Sequence, residues 1–150
     1  MENPIKININ VKATFENIKT GEKTIIKKHN VSCTAGIESV ASRLVGSTDK
    51  GIITYMALGT GSTTPNASDT TMDTELFRKL VSIRTVSGAV ASFRTFFNSS
   101  EGNGTLVELG LFGDDATSIA DSGTMYAHVA INKTKTSSET LTVDWSATVA

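Results

Sequence analysis

The segment Ile5-Lys6-Ile7-Asn8-Ile9-Asn10-Val11-Lys12-Ala13-Thr14-Phe15 alternates apolar and polar residues without a break. A period of two lines one face of a pleated strand with apolar groups and leaves the other face wet. The far end repeats the pattern in Leu141-Thr142-Val143-Asp144-Trp145-Ser146-Ala147-Thr148-Val149. Strands with one solvated face belong to antiparallel sheets. Both ends of the chain therefore point to a mainly β fold.

Working inward, a second strand is expected over residues 23–31, joined to the first through Lys19-Thr20-Gly21-Glu22. The period then changes. Ile37, Val40, Ala41, Leu44 and Val45 fall at i, i+3, i+4, i+7 and i+8, one stripe of a helix, with Thr34 as N-cap and Gly46 as terminator. Residues 52–58 are apolar on both faces and read as a buried central strand. A polar loop over 59–71 precedes a short helix over 73–79, where Asp73 and Glu75 suit a first turn. Residues 80–86 and 89–98 read as a hairpin closed by Ser87-Gly88. Two further strands, 105–112 and 124–131, flank a polar loop over 113–123. The sum is an antiparallel β-sandwich or barrel of about eight strands with one short α-helix, forming a single domain over residues 1–150.

Composition narrows the function. The chain has 150 residues, 39% hydrophobic and 19% charged, with a formal net charge of -1. That balance gives no long-range attraction for nucleic acid or an anionic membrane. No apolar run is long enough for a spanning helix, and residues 1–4 carry no apolar leader, so synthesis in a host cytoplasm is expected. Cys33 is the single cysteine, so stability is expected from packing, with Cys33 as a small buried side chain.

The residues that invite chemistry each have a plainer role. Gly59-Thr60-Gly61 follows a strand, but position 64 is threonine and Pro65 follows, so a dinucleotide loop is not formed. Gly46 and Gly51 have the outer spacing of a P-loop, yet Ile52 and Ile53 stand where lysine and a hydroxyl are required. These glycines read as tight turns. His29 and His128 lie on strands with no nucleophile elbow, and no zinc or calcium spacing includes them. Asp114, Asp115 and Asp121 read as turn residues. Lys23, Lys27, Lys28 and His29 read as a solvated face that protects a strand edge. Hence no catalytic residue, cofactor, metal or small-molecule substrate is expected.

Glu108 is the most informative charge. In Leu106-Val107-Glu108-Leu109-Gly110-Leu111-Phe112 simple alternation places it on one face with Leu106 and Phe112. An unpaired carboxylate there is prohibitive, so a structural pair with Arg78 or Arg84 is expected.

Several segments, in order, resemble the small β-rich structural proteins of tailed bacteriophages, in the style of tail-fibre and collar attachment domains. They are Asn30-Val31-Ser32-Cys33-Thr34-Ala35-Gly36-Ile37, Tyr55-Met56-Ala57-Leu58-Gly59-Thr60-Gly61, the loop Thr63-Thr64-Pro65-Asn66-Ala67-Ser68-Asp69-Thr70, and the strand from Asn103 to Phe112. Met125-Tyr126-Ala127-His128-Val129 and Leu141-Thr142-Val143-Asp144-Trp145 complete the set. The resemblance leads one to expect arginine at position 128, where this chain has histidine. It implies a virion subunit with no reaction: a tail, collar, baseplate or fibre-adaptor part, or a head decoration. Such a part binds other virion proteins and copies of itself. Gly36, Gly59, Gly61, Glu108 and Gly110 are the expected structural positions, and Thr63, Thr64, Pro65 and Asn66 the expected interface. The alternative from a different class is a carbohydrate- or receptor-binding β-sandwich module.

Overall fold

A computed structural model describes residues 5–48 and 52–150. Ten strands and one helix follow in the order β1 (Ile7–Asn17), β2 (Lys23–His29), β3 (Val31–Ser32), α1 (Thr34–Leu44), β4 (Ile53–Gly59), β5 (Glu75–Leu80), β6 (Ile83–Ser87), β7 (Val90–Phe97), β8 (Gly104–Gly113), β9 (Thr124–Lys135) and β10 (Glu139–Val149). They form two antiparallel sheets, β2-β1-β10-β7-β6 and β3-β9-β8-β4-β5, the second counting the two-residue β3. The architecture is sandwich-like, not a closed barrel.

The two alternating ends of the chain pair with each other. Strand β1 runs against β10 from Ile7↔Val149 to Asn17↔Glu139. Val11 lies opposite Trp145, Ala13 opposite Val143 and Phe15 opposite Leu141, so their apolar faces merge at the centre of one sheet. Phe97 joins them from β7, and Met56, Leu58, Leu106, Leu109, Leu111, Val129 and Ile131 meet them from the other sheet. Burying each such side chain contributes about 1.5–3 kcal/mol, so this shared layer dominates the fold's stability.

Two expectations change. Residues 73–79 are not a helix; most of the segment lies in β5. Phe77 packs edge-on against Phe97 at 6.1 Å on the core side, while Arg78 is buried on the opposite side. Because Leu76 and Leu80 are exposed while Arg78 is buried, the alternation that marks a strand vanishes, and two early acidic residues mimic a helix start. The N-cap of α1 is Cys33, with no side-chain cap, and Thr34 is the first helical residue. The apolar stripe of α1 does not enter the core. Ile37 is 49% exposed, Leu44 81% and Val45 83%, whereas the buried helix residues are Gly36 and Ser39. The expected terminator does hold: Gly46 has φ 73, its N–H donates to Arg43 O, and Ser47 N–H donates to Ser42 O.

The hairpin β6–β7 turns through Gly88 and Ala89, with Gly88 at φ 56 in the first loop position, which a two-residue hairpin favours for glycine. Gly51 and residues 1–4 lie outside the described residues.

Gly36 fixes how α1 docks. A Cβ there would lie 2.6 Å from the carbonyl oxygen of Tyr126 and 2.9 Å from its Cα. Backbone in a paired strand cannot give way as a side-chain tip can. Gly36→Ala is therefore predicted to lower stability in urea unfolding by about 1–3 kcal/mol, despite a helix-propensity gain of about 1 kcal/mol. A neutral or stabilising result would show that α1 is not held against β9 at this point.

Candidate functional site

Simple alternation misplaces Glu108. The register of β8 with β9 shifts between Leu106 and Glu108, from Leu106↔Lys133 to Glu108↔Ala130. Lys133 and Ala130 lie on opposite faces of β9, so the shift inverts the faces of β8. Leu106, Leu109 and Leu111 point between the sheets, while Phe112 joins a second apolar cluster with Cys33, Ala57, Met72 and Met125. Glu108 lies on this second face, beneath the loop 60–74.

There it is fully engaged. Glu108 is 1% exposed. Its Oε1 accepts the N–H groups of Thr74 at 2.7 Å and Gly61 at 3.2 Å. Its Oε2 accepts the Asp73 N–H at 3.0 Å and meets His128 Nε2 at 2.7 Å. The other ring nitrogen of His128, Nδ1, meets Asp69 Oδ2 at 2.7 Å, and that oxygen also accepts the Asn66 N–H at 2.7 Å. One buried imidazole thus joins a carboxylate of the sheet to a carboxylate of the loop.

The expected arginine partner is incorrect. Arg78 lies two strands away on β5 and pairs with Glu75, Nη2 to Oε2 at 2.8 Å, with its guanidinium 4.5 Å from the Phe112 ring centre. Arg84 donates instead to Ile53 O at 2.9 Å. His128 is the nearer group because it sits on β9, beside β8, diagonal to Glu108.

The glycines make room for this arrangement. Gly59 lies opposite Glu108, and Gly110 opposite His128. A Cβ on Gly59 would meet Glu108 Cγ and Oε1 at 2.6 Å, and one on Gly61 would meet the Asp73 carboxylate. A Cβ on Gly110 would meet Met72 Sδ at 2.6 Å. None of the three has positive φ, so clearance and not turn geometry requires them: around the Glu108 carboxylate at Gly59, the Asp73 side chain at Gly61, and Met72 and Phe112 at Gly110.

Electrostatics hold the imidazole charged. Burial pushes His128 down, but the hydrogen bonds and charges of Glu108 and Asp69 outweigh it and raise its pKa above the ordinary 6.5. Burial pushes Glu108 up, yet His128 and the Thr74 and Asp73 N–H groups outweigh it and hold the carboxyl below 4.5. A histidine with both nitrogens committed to carboxylates has no free lone pair for a nucleophile's proton. The arrangement ties the loop down.

Other candidate residues take structural places. Cys33 is fully buried, and burial with the Asp69 charge pushes its thiol up to about 12, far from a reactive thiolate. His29 Nδ1 meets Asn10 Oδ1 at 3.0 Å on the sheet surface. Asp114 and Asp121 occupy positive-φ turn positions at φ 59 and 60, and Asp114 accepts the Tyr126 hydroxyl at 2.7 Å. Thr63, Thr64 and Asn66 are exposed and Pro65 half-buried at the loop tip. Comparison with protein-family models, curated proteins and solved structures found no match.

The pKa directions fix a stability profile. The raised pKa of His128 gives a contribution complete below 6.5 and lost as pH climbs through the folded-state value above it. The lowered pKa of Glu108 gives a contribution complete above 4.5 and lost as pH falls through the folded-state value beneath it. Urea unfolding at stepped pH is predicted to show a maximum between these limits. His128→Gln should flatten the alkaline slope and cost about 3 kcal/mol near the maximum. An unchanged slope would contradict a charged His128.

Proposed function

We propose that this chain is a structural subunit of a tailed-bacteriophage virion, in the tail, collar, baseplate or fibre adaptor, or as a head decoration. It works by binding copies of itself and other virion proteins, not by catalysis. The reading begins from the ordered resemblance to tail-fibre and collar attachment domains. Its support from the fold is the outward apolar stripe of α1.

An amphipathic helix normally turns its apolar side into its own core. Here Ile37 and Val40 instead border an apolar cleft of about 270 Å³, with Ile53, Val86, Trp145 and Val149 on its other walls. Leu44 and Val45 extend the apolar surface, and Val86 is 77% exposed. An exposed patch of this kind on a small domain is favourable only when a partner covers it. Symmetric self-association covers such a patch on every copy at once. The exposed tip Thr63, Thr64, Pro65 and Asn66, held from beneath by Glu108 and Asp69, offers a second ordered contact surface.

The carbohydrate reading in its aromatic-platform form receives no such support, because Trp145 is only 1% exposed. Light scattering over a concentration series is predicted to show discrete oligomers that Val40→Asp or Val86→Asp reduces to monomers, with far-ultraviolet dichroism unchanged. A wild-type chain that stays monomeric throughout, with the same mass as both variants, would overturn self-assembly through this surface.

A further inference from the structure

The outward face of the β2-β1-β10-β7-β6 sheet has no part in the clamp and meets the apolar cleft only at Ser146. The pairing registers align its outward residues into two rows across all five strands. One is neutral or weakly basic: His29, Asn10, Ser146, Ser92 and Thr85. The other is charged: Lys27, Lys12, Asp144, Arg94 and Ile83. The rows are two residues apart along each strand, about 7 Å, and cross four strand spacings, about 19 Å. They line an open concavity of about 660 Å³.

The charged row is not self-neutralised. Arg94 takes Asp144 in a two-pronged pair, Nε to Oδ1 at 2.6 Å and Nη2 to Oδ2 at 3.2 Å. Lys12 and Lys27 lie directly opposite one another. Neither has an ion-pair partner among the described residues. Like charges placed opposite each other destabilise a strand pair. Protection of an edge explains lysines on β2, an edge strand, but not Lys12, since β1 lies between β2 and β10.

We propose that this concave face binds an acidic polysaccharide. Its carboxylates meet Lys12 and Lys27, and its hydroxyls meet Asn10, Ser146, Ser92 and Thr85. Adjacent cationic and neutral hydrogen-bonding rows suit a polymer that carries both groups along its length. A nucleic acid fits less well, because its bases call for stacking surfaces, and the outward aromatic Phe96 stands off both rows at the end of β7. Recognition by charge and hydroxyl also needs no exposed tryptophan. The lysines of this site are separate from the proposed assembly surface on α1 and the cleft, although Phe93, Trp145 and Ser146 border both concavities.

The test is calorimetric binding of polygalacturonate, with neutral dextran and a single-stranded oligodeoxynucleotide as comparison ligands. Polygalacturonate is expected to bind roughly tenfold or more tightly than either, and less tightly as salt rises. Lys12→Gln combined with Lys27→Gln is expected to weaken that binding roughly tenfold while holding or raising the thermal midpoint, since it relieves the lysine opposition. Lys12→Gln alone gives the same direction with a smaller perturbation. No binding of polygalacturonate at low salt would overturn the proposal. So would equal binding of the oligonucleotide, or binding unchanged in both variants.

Discussion

A carboxylate taken out of water costs several kcal/mol unless hydrogen bonds and charge replace its hydration. Glu108 is 1% exposed, and much of this molecule is arranged around that requirement. Three backbone N–H groups of the segment 61–74 and the imidazole of His128 converge on its two oxygens. The loop between β4 and β5 must therefore fold back over the outer face of its own sheet. Gly59 is glycine because the Glu108 carboxylate occupies the space its side chain would fill, and Gly110 because Met72 and Phe112 pack there. The same loop accepts the Thr34 N–H at Ala67 O, so the start of α1 is tied to the clamp. One buried charge thus orders a loop, a helix terminus and a sheet face together.

The loop 114–123 is fixed by parallel means. Arg78 donates to Thr117 O and Ser122 O, and Glu75 accepts the Asp121 N–H. Both loops carry exposed polar residues on a base held by buried ion pairs. Such surfaces hold their shape, which suits contacts repeated many times in an assembly. In the proposed assembly the apolar stripe of α1 would supply the drive for association and the loop tips its direction. The lysines of β1 and β2 lie on the outward face of the β2-β1-β10-β7-β6 sheet, whose inner face lines the cleft.

The sequence made some of this legible, for physical reasons. Strands β1 and β10 were readable because each has one wet face, so their alternation survives in the residues. The hairpin β6–β7 was marked by Gly88. Glu108 was conspicuous because a charge amid Leu106, Leu109 and Leu111 demands an explanation. Its partner was not legible. A register shift inside β8 reverses the faces, and the diagonal neighbour on β9 depends on a strand order that local patterns do not encode. The glycines were visible as a pattern, but their cause was clearance rather than turning. Strand β5 was hidden because it exposes Leu76 and Leu80 while burying Arg78, the reverse of the usual pattern. The stripe of α1 was read correctly as periodic, and only its direction, outward, required the three-dimensional arrangement.

The central claim is that Glu108 holds the loop 60–74 as firmly as a strand. Amide hydrogen exchange at Gly61, Asp73 and Thr74 measures this most directly. Their N–H groups should exchange as slowly as those of β8, and Glu108→Gln should speed all three while leaving Val11 and Val143 protected. Rapid exchange of the three amides in the unaltered chain, at the rate of the exposed tip around Thr64, would contradict it.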